Sequence, residues 1–163
     1  MVIDVIDHQY EETAKDIKES LSQKGCTNFI DMWPCPGIVR QMVCRIIQIT
    51  PLFSIKKLRI WGHGNVGMQC VAGGACFTES DRAELAVLSD YFADNALVEL
   101  HGCLVALGNV GSEFIQSLAN LWNVRVRASV VKQENMIDRT DWVGPVVEAR
   151  PRTCGLYTIP PTG

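Results

Sequence analysis

Apolar positions in this chain arrive as short runs separated by stretches of helical spacing. Residues 1–6 read as a short buried strand, and over 10–24 the residues Tyr10, Ala14, Ile17 and Leu21 fall on one stripe of a helix. Gly25 then serves as a helix stop. A second strand is expected over 26–32, ended by the breaker cluster Trp33-Pro34-Cys35-Pro36-Gly37. The strongly apolar segment 38–49 predicts a helix that Pro51 terminates.

The third strand is expected over 57–61, and 66–77 reads as a hairpin turning at Gly73-Gly74. Thr78 with Asp81 three residues on is a capping-box pattern, predicting a helix that buries Leu85, Leu88 and Phe92. A fourth strand over 97–101 precedes a helix over 110–122 with Phe114, Leu118 and Leu121 inward. Residues 124–128 alternate as a half-exposed strand does. Beyond them a long polar loop over 130–141, a late strand over 143–148 and a frayed end with Pro160 and Pro161 are expected. The order βαβαβ, hairpin, αβαβ predicts an α/β fold: a mostly parallel central sheet with helices on both faces. A length of 163 residues suits a single domain spanning 1–163.

Composition narrows the partners. A net charge of −3 with 20% charged residues offers no basic excess to hold a phosphate backbone, which argues against nucleic acid. No apolar run approaches the roughly 18 residues a membrane span needs, and Asp4, Asp7, Glu11 and Glu12 stand where a secretory leader would be basic. Seven cysteines, an odd number without C-x-x-C spacing, suit a reduced, cytoplasmic setting.

Two apolar runs end in a reactive side chain beside glycine: Leu58-Arg59-Ile60-Trp61-Gly62-His63-Gly64 and Leu97-Val98-Glu99-Leu100-His101-Gly102-Cys103. As parallel strands they would deliver His63 and Cys103 to one sheet edge, where open α/β sheets keep their chemistry. A cysteine nucleophile with a histidine base follows, with the backbone N–H groups of Gly64 and Cys103 as oxyanion donors. Two other constellations fit less well. Residues 62–67 match G-x-G-x-x-G, but the residues after them are β-prone, whereas a dinucleotide loop must open a helix. Gly-Asn-Val-Gly recurs at 108–111 and reads as a strand-to-helix turn. A zinc set drawn from His63, Cys70, Cys76, His101 and Cys103 lacks the usual C-x2-4-C pair, so neither a metal nor another cofactor is expected. Cys26, Cys44 and Cys154 read as packing residues.

The His63-Gly64 and Gly102-Cys103 blocks, in that order and at strand ends, resemble those of the caspase-like (clan CD) cysteine peptidases. The closest likeness is to a bacterial caspase-like domain of unknown function that often begins large adhesin or repeat proteins. It spans residues 58–129, whereas the first 50 residues are similar in layout alone. The resemblance implies a caspase-like three-layer sandwich and hydrolysis of a peptide bond in a protein or peptide substrate by a thiol protease. His63 would be the base, Cys103 the nucleophile, Gly64 and Cys103 the oxyanion donors, with no third catalytic residue. It also implies a substrate pocket at Asp7 and His101, in which an acidic Asp7 would favour a basic residue before the cleaved bond. His101 differs from both the acid of metacaspases and the glutamine of caspases; lying two residues before Cys103, it should share that residue's side of the strand. No activation linker is recognisable, so a catalytically silent interaction module, using the exposed Arg125 and Arg127 strand or Trp33, is the alternative. A nucleotide binder using the glycine loops is the third reading.

Overall fold

The apolar runs of the sequence become five parallel strands of one sheet. The computed structural model describes residues 1–133 and 141–152. In chain order these form β1 (Val2–Asp7), α1 (Glu11–Gln23), β2 (Phe29–Met32), α2 (Ile38–Ile49) and β3 (Ile55–Trp61). A small antiparallel unit follows, β4 (Gly64–Asn65), β5 (Met68–Ala72) and β6 (Ala75–Phe77). Then come α3 (Arg82–Leu85), β7 (Phe92–Leu100), α4 (Gly108–Trp122), β8 (Arg125–Ser129) and β9 (Val146–Ala149). The main sheet runs β2-β1-β3-β7-β8-β9, parallel throughout except for β9, which pairs antiparallel with β8 at the edge.

Right-handed crossovers decide where the helices lie. The chain steps one way from β1 to β2 and the other way from β2 through β3 and β7 to β8, so α1 takes one face and α2 and α4 the other. The larger core sits under α2 and α4, where Ile3, Val5, Leu58, Ile60, Val98 and Leu100 point from the sheet. Under α1, the residues Ala14, Ile17 and Leu21 pack on Ile6 and Trp61. Alternation along β3 sends Lys57 and Arg59 to the α1 side, where burial demands partners. Asp4, 1% exposed, supplies one. Its carboxylate accepts from Arg59 Nε at 2.6 Å, Arg59 Nη2 at 2.8 Å and Trp61 Nε1 at 2.8 Å. Burial works against the Arg59 charge, but the paired Asp4 carboxylate outweighs it and raises the guanidinium pKa.

Four sequence expectations need correction. The helix after Thr78 is a 3-10 turn, the single α-turn α3 and a second 3-10 stretch over Ala86–Tyr91. The capping box at Thr78 and Asp81 does form. However, Trp122 Nε1 donates to the Leu85 carbonyl at 2.8 Å, competing for the acceptor that a continuing helix would use. Phe92 accordingly begins β7 instead of ending a helix, so this strand starts five residues earlier than expected, with Asn95 at φ 60° within it. β2 starts at Phe29, three residues late. Finally, Cys70 and Cys76 are cross-strand neighbours on β5 and β6 and are joined as a disulfide, against the expectation of seven reduced thiols. The late strand exists as β9. Much of the expected 130–141 loop, Cys154, Pro160 and Pro161 lie outside the described residues. Among the described residues no helix is long and apolar enough to cross a membrane.

Candidate active site

β3 and β7 are direct parallel neighbours with Ile60 opposite Leu100. His63 and Cys103 each lie three residues beyond that pair, so both segments leave the same edge of the sheet. Nearby, the connections from β1 and β3 depart in opposite directions, which opens a crevice between them. A cavity of about 270 Å³ occupies it. Its walls include Asp7 and Tyr10 from the β1 end, Trp61 and His63 from the β3 end, and His101, Cys103 and Gln133 from beyond β7.

The His63 and Cys103 loops meet backbone against backbone. A Cβ added to Gly64 would fall 2.8 Å from Gly102 Cα and 3.0 Å from Cys103 N, and one on Gly102 would fall 2.8 Å from Gly64 Cα and 2.9 Å from His63 O. Only glycine at both positions permits this approach. β7 ends at Leu100, and 101–107 turn away from the sheet with Leu104 at φ 59°. His101 and Cys103 therefore do not share a strand face as expected, because both lie beyond the end of β7. Both nevertheless line the cavity, brought there by the turn.

The two N–H groups expected as oxyanion donors are not taken up by the sheets. The Cys70 N–H donates to His63 O at 2.8 Å, and hydrogen-bonded pairs alternate along an antiparallel ladder. Gly64, opposite Gln69, thus holds a non-bonded position and its N–H is turned away from β5. The Cys103 N–H donates to no described residue. Cys103 Sγ itself accepts from Gln133 N at 3.2 Å. His63 is exposed at the cavity mouth, where the ring of Tyr10 meets it edge-on with centroids 5.5 Å apart.

Asp7 is 9% exposed. Its Oδ1 accepts from Gln9 N at 2.7 Å and Gly73 N at 3.2 Å, whereas its buried Oδ2 has no partner among the described residues. His101, 3% exposed, is sandwiched between Trp61 and Trp142 with ring centroids at 3.7 and 4.1 Å. Glu99 stands 3.7 Å from its Nε2, too far for a hydrogen bond, so neither ring nitrogen has a partner among the described residues. Burial pushes its pKa below the ordinary imidazole value and the ring is neutral.

Other sequence candidates fall away from this crevice or lose their ligands. After Gly62 the chain enters β4 and β5 rather than a helix, and 108–111 opens α4. Cys70 and Cys76 are bonded to each other, and no group of three or more metal-ligating side chains occurs among the described residues. Arg125 and Arg127 are half-buried instead of exposed, because Glu148 faces them at 3.9 and 2.7 Å. Trp33 is 51% exposed and its ring lies 4.5 Å from that of His8. Cys26 and Cys44 are only partly buried, and Cys26 Sγ accepts from Arg59 Nη2 at 3.0 Å.

Three site residues escaped the sequence reading: Gln69, Gln133 and Trp142. Gln69 left one signal, a lone amide in the apolar run Met68-Gln69-Cys70-Val71-Ala72. Gln133 fastens its loop through its side chain, donating to Ser129 Oγ at 2.6 Å and Val143 O at 2.9 Å and accepting from Val143 N at 3.0 Å. Trp142 follows a polar stretch in which nothing marks it as a stacking partner.

Compared with known proteins, the chain matches no curated protein and no solved structure. One family model covers residues 40–145, from α2 to the loop just before β9, and so includes both His63 and Cys103. The chain belongs to the family described as a domain of unknown function, DUF4347.

Proposed function

We propose that this domain is a caspase-like three-layer sandwich and a cysteine endopeptidase acting on a protein or peptide segment. The observation that carries the reading is the shared cavity: an imidazole and a thiol on the loops that leave two adjacent central strands, with two N–H groups beside them that are not tied into the sheet. In the reaction, His63 takes the Cys103 proton and the sulfur attacks the peptide carbonyl carbon. The N–H groups of Gly64 and Cys103 hold the resulting oxyanion. Protonated His63 passes its proton to the leaving amine as the C–N bond breaks, and then deprotonates the water that hydrolyses the thioester. Asp7 and His101 form the pocket for the residue before the cleaved bond, and the unpartnered Asp7 Oδ2 favours a basic one. No metal or cofactor takes part. Cys103 must stay reduced, which fits a cytoplasmic setting even though Cys70 and Cys76 are bonded.

Differential alkylation tests the dyad. An ordinary thiol, with a pKa of about 8.5, is only about 1% ionised at pH 6.5. Cys103 should therefore label first among the free cysteines at that pH, and His63→Ala should abolish the advantage. A peptide library cut by the native protein and left whole by Cys103→Ala establishes cleavage; libraries left equally whole by both favour the silent interaction module.

A further inference from the structure

We propose that Gln69 is the positioning residue that clamps the His63 loop onto the Cys103 loop, an inference that rests on the dyad reading above. Gln69 is 0% exposed. Its Oε1 accepts at 2.9 Å from the N–H of Gly102, the residue directly before Cys103. Its Nε2 donates to the carbonyl of His63 at 3.2 Å and to that of Cys70 at 2.9 Å. One amide therefore ties the main chain of the base to the main chain of the nucleophile.

The chemistry of the side chain is suited to the task. A carboxamide alone combines an acceptor with two N–H donors on one planar group. A carboxylate of the same shape would keep the Gly102 bond but set negative charge against two carbonyl oxygens. Methionine would keep the length and lose all three bonds. The clamp is also firmly rooted. Val71 and Ala72, the next residues of β5 but one, are buried in the larger core, and the adjacent Cys70 is bonded across to Cys76. With Gly64 and Gly102 already in van der Waals contact, the amide fixes the remaining freedom, which is sliding of one loop along the other. A shift of that kind would separate imidazole from sulfur without unfolding anything.

The test is a double-mutant cycle read through Cys103 alkylation by iodoacetamide, followed by peptide mass spectrometry from pH 5.5 to 9.5. The chains compared are the native protein, His63→Ala, Gln69→Met and the double variant, each checked for a cooperative melt. Expected is a His63-dependent excess of labelling at pH 6.5 in the native chain, cut about fivefold or more by Gln69→Met. The double variant should then label no more slowly than His63→Ala alone, a non-additivity that a purely structural role would not produce. If native and His63→Ala chains label alike, the dyad reading fails and the clamp with it. If the native chain shows the excess and a folded Gln69→Met retains it, the clamp alone is overturned. Should the methionine variant not fold, Gln69→Glu, which keeps the Gly102 acceptor and loses the donors to His63 O, gives the same reading.

Discussion

Replacing His101 by phenylalanine should stabilise the protein, and more so in mild acid. The neutral ring carries one N–H and one lone pair, both buried without partners among the described residues. Leaving such a group unsatisfied costs about 1–3 kcal/mol. Phenylalanine can occupy the same slot between Trp61 and Trp142 without polar atoms, and its slightly larger ring adds an overpacking penalty of about 1 kcal/mol. A net gain of up to about 2 kcal/mol at pH 7.5 is expected. Acid widens the difference. Burial holds the folded-state pKa of His101 below its unfolded value of about 6.5, against the opposing pull of Glu99 and Asp4 and with the help of the Arg59 charge. As pH falls below about 6.5 the unfolded chain gains a proton that the folded one refuses, so native stability drops by up to about 1.4 kcal/mol per unit. From pH 7.5 to 5.0 the loss reaches up to about 2 kcal/mol, and His101→Phe escapes it. Carboxylates do not blur this window. Burial opposes ionisation of Asp31 and Glu148, but Lys18 and His8, and Arg127 and Arg150, respectively hold them below their ordinary values. Their stabilisation is present above about pH 4.5 and is lost only at lower pH. Urea unfolding followed by tryptophan fluorescence at pH 7.5, 6.25 and 5.0 measures the difference directly. A gap between the two proteins that stays constant with pH, or a phenylalanine variant less stable throughout, refutes the account of His101 as a buried, unpaired imidazole.

Two further substitutions test the frame around the site. Asp4→Ala leaves the Arg59 guanidinium and Trp61 Nε1 without their buried partner and should cost about 3–5 kcal/mol in urea unfolding, far above an exposed ion pair. Gly102→Ala pushes a methyl group to 2.8 Å from Gln69 Oε1 and Gly64 Cα, where the neighbours are mainly backbone and cannot yield. It should cost about 1–3 kcal/mol and slow Cys103 alkylation at pH 6.5, whereas unchanged stability and labelling would contradict the loop contact.

What the sequence revealed follows the strength of local signals. The Ala14, Ile17 and Leu21 stripe of α1, the apolar helix α2 bounded as expected at Ile38–Ile49, and the strand end at Trp61 were legible, because period and breaker residues agree there; Tyr10, expected on that stripe, precedes the helix and is 57% exposed, and β7 stops one residue short of His101. The segment after Thr78 was not. Its apolar spacing suits a helix, but a carbonyl contact from Trp122, 37 residues away, decides otherwise. For the site, the glycine-flanked His63 and Cys103 could be read directly. Their supporting groups could not, since Gln69, Gln133 and Trp142 act through contacts to backbone or rings that no spacing encodes. The bond between Cys70 and Cys76 was missed for a related reason: five intervening residues say nothing until the hairpin register sets the two side by side.

The third and fourth of six strands carry both reactive loops, with the larger core against one face of both and α1 over β3 on the other. Amides there exchange only when the whole molecule opens, whereas the rim strands β2 and β9 can breathe without disturbing them. Heat or denaturant should silence and melt this domain in one event. Under the proposed reaction, a preparation that is folded yet inert therefore points to a blocked sulfur, a slipped loop contact or a silent interaction module, and not to a loosened sheet.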